Sequence, residues 1–166
     1  KAAYSDAATA APRDPDIHTG WGELFLEKFA KGEAMRSFQD ALKINPRFSG
    51  AYRVPAELAA ASYRFEEAVA LSRKALAIDP TLARAHNGLA FVYVLAFNAA
   101  VGVISLENLE CALQHAEAAL DLDPTDPRVH YTLAYVCLHR REFERARRHF
   151  VRAVEMNPND AVILAH

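Results

Sequence analysis

Small and large apolar residues recur at intervals of three and four along most of the chain, separated by charged and polar residues. Ahead of four prolines the pattern is the same, with a small or apolar residue 12, 8 and 5 positions before the proline. The three positions are Ala34, Phe38 and Ala41; Ala68, Ser72 and Ala75; Ala112, Ala116 and Ala119; and Ala146, Phe150 and Ala153. Residues three or four apart share one helix face, so each unit is predicted to bury this face of a helix.

The prolines that follow these faces recur at a fixed interval. Pro12, Pro46 and Pro80 are 34 residues apart, Pro158 follows Pro124 by 34, and the step from Pro80 to Pro124 is 44. An Asn or Asp precedes each of the last four prolines, and both residue types favour turns. Because a residue before proline is disfavoured in the α region, each helix is predicted to stop there.

A second helical pattern follows the prolines. Residues 17–25, 85–93 and 129–137 align without gaps, each with a histidine at its second position. A 34-residue unit of two helices resembles the tetratricopeptide repeat, whose pattern has a Trp, then Leu and Tyr, then A-x3-F and Pro. In this chain His takes the place of the Trp, whereas Leu89, Ala90 and Tyr93 match the rest.

The resemblance implies an all-α, right-handed solenoid of about four full repeats with partial units at both ends. The expected single solenoid, 1–166, divides into the end of a preceding helix (1–14), repeats at 15–48, 49–82, 83–126 and 127–160, and the start of a further helix (161–166). A chain that begins and ends within the repeat pattern is expected for a piece of a longer solenoid. Degenerate caps at the ends are the alternative.

Two segments depart from the repeat. Ten extra residues fall near 99–108 in the third unit, where the sequence is apolar for a loop and Ser105 can cap a helix that starts at Leu106. They predict either a longer helix hairpin that covers the local core or an exposed contact patch. Pro55 replaces the Leu of the motif, which predicts that its helix starts late or is kinked.

The composition and the motifs reduce the number of function classes that fit this chain. The net charge of −2 does not favour nucleic acid or membrane, and no apolar run reaches the length of a membrane span. Cys111 and Cys137 fall on helical positions and are expected to be free thiols, which favours a reducing, cytoplasmic location. We find no nucleophile, phosphate-loop or metal-ligand motif, so no enzyme activity, cofactor or metal is expected. The arginines of the last unit alternate with glutamates and predict a solvated face.

In the tetratricopeptide family the first helix of each repeat lines a concave groove. The residues assigned to this groove as a peptide-binding site are Arg53, Glu57, Arg84, Asn87, Phe91, Val94, Arg128, Tyr131, Tyr135 and Leu138. Tyr and Arg commonly anchor interfaces, and Arg suits a carboxylate, so the expected partner is a peptide with apolar and acidic residues. The alternative is that a further repeat covers these residues.

The function predicted from the sequence is a protein–protein interaction scaffold that binds a peptide or partner segment in the groove. The groove lacks the Lys and Asn of chaperone-binding members, because Thr19 and Glu23 occupy those positions in the first repeat. Two other functions stay open: a homo-oligomer formed through open repeat ends or the insert at 97–108, and a non-catalytic regulatory arm of a larger bacterial enzyme.

Overall fold

The computed structural model describes residues 13–28, 30–99 and 106–158. These residues form eight α-helices and no strand, so the described chain is an all-α helical repeat solenoid. In chain order the helices are α1 Pro15–Glu27, α2 Lys31–Ile44, α3 Gly50–Ala61, α4 Phe65–Ile78, α5 Ala83–Asn98, α6 Leu106–Leu122, α7 Pro127–His139 and α8 Phe143–Met156.

The second helix of each pair ends where the sequence predicts. Helices α2, α4 and α8 end directly before Asn45, Asp79 and Asn157, and α6 ends before Asp123. The N–H of Asn45 donates to the carbonyl of Ala41 at 2.9 Å, and its Oδ1 accepts from the N–H of Arg47, which starts the turn. The predicted helix stops are therefore confirmed.

The predicted helix faces are buried, except that Phe150 is half-buried. Ala34, Phe38 and Ala41 expose at most 1% of their surface, and the alanines at the same positions of the later units expose at most 2%. Small residues on these faces let neighbouring helices approach closely, while Phe38 fills the space between α1 and α2. The largest core cluster joins α5, α6 and α7 around Leu89, Leu113 and Leu133.

The predicted late start at Pro55 is wrong. Helix α3 begins at Gly50, and Pro55 is buried inside it. The first turn is held by hydrogen bonds from the N–H of Ala51 to Phe48 O and from that of Tyr52 to Ser49 O. A proline inside a helix removes one intrahelical hydrogen bond. In α3, the burial of the neighbouring residues offsets this loss. Val54, Ala56 and the rest of this face are buried.

Part of the ten-residue insertion lengthens the two helices that flank it. Helix α5 has 16 residues and α6 has 17, against 13 in α7 and 14 in α8. Helix α6 starts at Leu106, as predicted, and residues 100–105 lie outside the described part of the chain. The predicted helix end before residue 13 and helix start after 160 also lie outside it.

None of the described helices is both long enough and apolar enough to cross a membrane. Cys137 is buried, Cys111 is half-buried, and both thiols are free. Burial raises the pKa of the Cys137 thiol to about 11, so this thiol is uncharged at neutral pH.

Candidate functional site

A cavity of about 280 Å³ lies where three first helices, α3, α5 and α7, come together. Each helix belongs to a different pair, so the cavity exists only because consecutive units stack side by side. Its lining residues are Arg53, Ala56, Glu57, Ala60, Ala61, Ser72, Arg84, Ala85, Asn87, Gly88, Phe91, Val92, Leu95, Asp126, Arg128, Tyr131 and Thr132.

The middle of the cavity is apolar. Ala60 of α3 and Val92 of α5 are buried there, and half-buried Phe91 and Leu95 complete the lining. The small side chains of α3 leave a space between the helices. The larger side chains of α5 and α7 do not fill it. This part of the cavity can therefore hold an apolar side chain of a ligand.

Two arginines and one aspartate form one rim. Asp126 Oδ1 caps α7 by accepting from the N–H of Arg128 at 2.9 Å. The same carboxylate lies 3.5 Å from Arg128 Nε and 4.0 Å from Arg84 Nε. Both arginine side chains are 56% exposed, whereas Asp126 is 11% exposed. These three groups carry a net charge of +1, and the carboxylate of Asp123, which also interacts with Arg84, balances that charge. The exposed guanidinium groups can still pair with a carboxylate from solution.

The opposite rim is occupied by an ion-pair network. Arg53 of α3 pairs with Glu57 on its own helix at 2.8 Å and with Glu23 of α1 at 2.6 Å. Arg53 is 14% exposed and is held by both carboxylates. The network joins the first two units and leaves this rim with an excess of negative charge.

Asn87 brings an unsatisfied acceptor to the cavity. Its Oδ1 is buried and has no hydrogen-bond partner within the described residues. A buried polar atom without a partner costs about 1–3 kcal/mol. A ligand with an N–H or O–H at this point would remove that cost.

Aromatic rings line and support the α7 side of the cavity. Tyr131 is stacked on Tyr135 with ring centroids 6.1 Å apart, and Tyr135 lies 6.4 Å from Phe91. Phe150 of α8 meets Tyr131 edge-on at 5.9 Å. Burial and the neighbouring Tyr135 raise the pKa of Tyr131 above its usual value, so its hydroxyl stays protonated. The hydroxyl of Tyr135 accepts from Asn98 Nδ2 at 3.0 Å.

The structure brings together seven of the ten side chains assigned to the groove from the sequence. These seven are Arg53, Glu57, Arg84, Asn87, Phe91, Arg128 and Tyr131. Tyr135 lies behind the lining as a ring neighbour of Phe91 and Tyr131. Leu138 is 39% exposed and outside the cavity.

The assignment of Val94 to the groove is wrong. Val94 is fully buried in the core cluster of α5, α6 and α7. It occupies the position in α5 that Leu138 occupies in α7, 44 residues later. Val94 is covered because the next unit packs on α5 at this point, which sequence spacing did not reveal.

Sequence reasoning missed Asp126 and Ser72. Asp126 lies before Pro127 at the start of a helix, a pattern typical of a helix cap, so the cap could have been found from the sequence. Its second role between two arginines depends on α5 and α7 lying side by side. Ser72 stands where other units carry Phe or Ala and gave no separate signal.

The described residues contain no group of three or more His, Cys, Asp or Glu placed to hold a metal ion. Three arginines of α8 are paired with glutamates: Arg147 lies 3.5 Å from Glu144, Arg152 lies 3.5 Å from Glu155, and Arg145 has two partners. Arg145 pairs with Glu117 of α6 and Glu142, and Arg140 with Glu110 of α6 and Glu142.

Comparison with known proteins finds a match to the tetratricopeptide repeat in part of the chain. A tetratricopeptide repeat family model matches residues 104–165. A peroxisomal targeting signal receptor from Kluyveromyces lactis is 32% identical over 118 residues, which cover 70% of this chain and 19% of the receptor. The chain thus matches only about a fifth of the length of this relative.

Solved structures share the fold over nearly the whole chain. A thermophilic tetratricopeptide repeat protein from Thermus thermophilus superposes with a TM-score of 0.75 and 22% identity, covering 98% of this chain and 84% of that one. The pilF protein of Pseudomonas aeruginosa gives a TM-score of 0.70 and 18% identity, covering 97% and 69%. At these identities the likeness concerns the fold.

Proposed function

We propose that this chain, whose residues 104–165 match a tetratricopeptide repeat family model and whose fold is that of a tetratricopeptide repeat protein, binds a short segment of a partner protein in the cavity between α3, α5 and α7. Tetratricopeptide repeats generally serve as non-catalytic modules for protein–protein interaction. The curated relative is named as a receptor for a targeting signal, which agrees with a partner recognised through a short segment.

The single observation that carries this proposal is an apolar cavity with two exposed arginines at its rim. Its volume of about 280 Å³ is near the lower end of ligand pockets, which span about 300–1,000 Å³. One or two side chains of a peptide fit this space. Because the lining comes from packed helices, little ordering is needed on binding.

The proposed segment carries an acidic residue beside an apolar one. Its carboxylate binds between Arg84 and Arg128, where the guanidinium groups are exposed and share Asp126. Its apolar side chain lies against Phe91 and Ala60. A backbone N–H of the segment donates to Asn87 Oδ1, which has no partner in the described structure.

A display library of random short peptides tests the proposal. Selection on the wild-type chain should enrich peptides with an acidic residue next to a Leu, Ile or aromatic residue. An enriched peptide, labelled for fluorescence anisotropy, should bind the double variant Arg84→Glu/Arg128→Glu at least about tenfold more weakly, since two attractive contacts become repulsive. Phe91→Ala should also weaken binding, through lost apolar contact.

A charge-matched control comes from α8. The double variant Arg147→Glu/Arg152→Glu changes the net charge equally, but its side chains are exposed and outside the cavity. It should bind the peptide within about threefold of the wild type. Enrichment of basic peptides, or equal loss of affinity in both double variants, would contradict the proposed site.

A further inference from the structure

Two pairs of histidines join the helices of the third and fourth units. His86 Nδ1 of α5 lies 2.9 Å from His115 Nδ1 of α6, and His130 Nδ1 of α7 lies 3.0 Å from His149 Nδ1 of α8. Ring centroids are 5.1 Å and 5.3 Å apart. The sequence pointed to His86 and His130 as substitutes for the family Trp, but it gave no sign of their partners.

The hydrogen bonds of each pair define where the protons lie. His86 Nε2 is 3.0 Å from the carbonyl of Pro80, and His130 Nε2 is 3.1 Å from that of Pro124. A carbonyl only accepts, so each of these Nε2 atoms carries a hydrogen. The Nδ1 of a neutral ring with Nε2–H is an acceptor, and the partner histidine donates its Nδ1–H to it.

Each pair therefore holds one hydrogen between two nitrogens. In a doubly protonated pair both Nδ1 atoms carry a hydrogen, and two N–H groups face each other at about 3 Å. The hydrogen bond is then replaced by a contact between like charges. Such a pair can persist only if the two rings move apart, which disturbs the packing between the helices that carry them.

The charged groups nearest to His115 and His149 are cationic. His115 faces His86, lies parallel to the ring of Tyr93 and has Arg73 of α4 nearby, where Arg73 Nη2 donates to Tyr93 Oη at 2.8 Å. His149 faces His130 of α7 and the arginines Arg145 and Arg148 of its own helix. The arginines and the partner histidines disfavour an imidazolium at His115 and His149, whereas the Tyr93 ring stacked on His115 does not oppose one.

We propose that the two histidine pairs make the α5–α8 half of the solenoid sensitive to pH, holding its helices together when neutral and separating them once the second ring is protonated. His86 directly precedes Asn87 and His130 directly precedes Tyr131, so the cavity is disturbed along with the pairs. The effect on stability is independent of the proposed peptide function.

The direction of the effect follows from the folded-state pKa values. Burial, and then the partner histidine and neighbouring arginines, lower the pKa of His115 and of His149 below the usual value for histidine. A histidine with a lowered folded pKa contributes stability above its unfolded pKa of about 6.5 and loses it as the pH falls. The pairs therefore stabilise the fold at neutral pH and weaken it in mild acid.

The chain provides its own pH-insensitive replacement. The second unit has Tyr52 and Leu71 at the positions of the two histidines, and Tyr52 Oη donates to the carbonyl of Pro46 at 3.1 Å. The test variant copies that pair into both later units: His86→Tyr, His115→Leu, His130→Tyr and His149→Leu. Urea unfolding is measured for wild type and variant at a pH about one unit above and one below 6.5.

The unfolding equilibrium constant of the wild type should rise by at least about tenfold on acidification, and that of the variant by less than about threefold. Equal pH dependence in both chains would overturn the proposal. If the variant does not fold, NMR titration of the wild-type imidazole rings decides the matter. His115 and His149 should titrate below about pH 6.5, and titration at or above it overturns the proposal.

Discussion

At the scale of single residues, the cavity combines groups with satisfied and unsatisfied hydrogen-bonding capacity. Arg53 is paired with two carboxylates, whereas Asn87 Oδ1 is buried without a partner in the described structure. Buried polar atoms in folded proteins nearly always have partners, so an exception is a candidate for a function. A substitution of Asn87 therefore separates an effect on binding from an effect on packing better than a substitution of the aromatic residues around it.

Replacing Asn87 by Leu should stabilise the free chain and weaken peptide binding. The substitution removes a buried acceptor that has no partner in the described part of the chain, which is worth about 1–3 kcal/mol, and fills the same space with apolar atoms. The free energy of unfolding from urea titration measures the gain. Asn98→Leu on the same helix is the control, because Asn98 donates to Tyr135 and is exposed. A loss of stability in Asn87→Leu would show that the amide is satisfied in solution.

Two glycines should respond to alanine with opposite signs. A Cβ at Gly22 would lie 2.6 Å from Cζ of the buried Phe38 ring, so Gly22→Ala should destabilise the chain by about 1–3 kcal/mol. A Cβ at Gly88 meets no described atom within 4 Å, so Gly88→Ala should stabilise it by about 0.5–1 kcal/mol. Thermal or urea unfolding of both variants checks the pair. Equal shifts would mean that α1 moves away from α2 freely.

At the scale of elements, the helices end by local chemistry and persist by packing. Asn45 and Asp79 accept from the N–H of the residue two positions later, which fixes the turn after α2 and α4. Helix α3 shows the second effect, because it continues through Pro55. Burial along one face of α3 outweighs the hydrogen bond that the proline removes.

Replacing Pro55 by Ala should stabilise α3. Alanine restores an N–H that can donate to the carbonyl of Ala51 and has the highest helix propensity, for an expected gain of about 1–3 kcal/mol. The gain is reduced by the lost ring contacts, since Pro55 is buried. Urea unfolding measures the change, and amide exchange at residue 55 reports the new hydrogen bond. A less stable variant would indicate that the lost ring contacts outweigh the restored hydrogen bond.

At the scale of the whole molecule, each unit contacts its neighbours and no unit is sufficient for the cavity. The lining comes from α3, α5 and α7, with Ser72 from α4. The net charge of −2 gives no general attraction for anions, and Asp123 and Asp126 lie beside Arg84 and Arg128. Recognition of an acidic segment therefore depends on direct pairing with the two exposed guanidinium groups.

The purified chain should be a monomer of 18.4 kDa at all concentrations in light scattering. The large apolar side chains that the described residues expose are spread over a turn and three helices, a distribution normal for monomers. They are Tyr63, Leu122, Leu138, Phe143 and Val151. A mass that rises with concentration would instead support self-assembly. Val151→Lys, on α8, then tests whether that helix is the contact.

Much of the fold could be predicted from one sequence because the same local pattern recurs in several units. The Asn or Asp before a helix-ending proline acts on the residue two positions later, and each buried alanine face depends on neighbours three or four positions away. The division into repeats at 15–48, 49–82, 83–126 and 127–160 stays a prediction. The candidate site was predictable only in part, since helix phase placed seven of ten side chains at the cavity and misplaced Val94.

The sequence by itself determined the second helix of each pair, its stop and the face it buries, because these depend on spacing within one helix and on the residue before a proline. Only the tertiary structure decided that Asp126 joins Arg84 to Arg128, that Asn87 Oδ1 has no partner among the described residues and that His86 meets His115. These features join residues far apart in the chain or depend on how helices are rotated against each other. Such rotations follow from the packing of all units together and are not encoded at any one position.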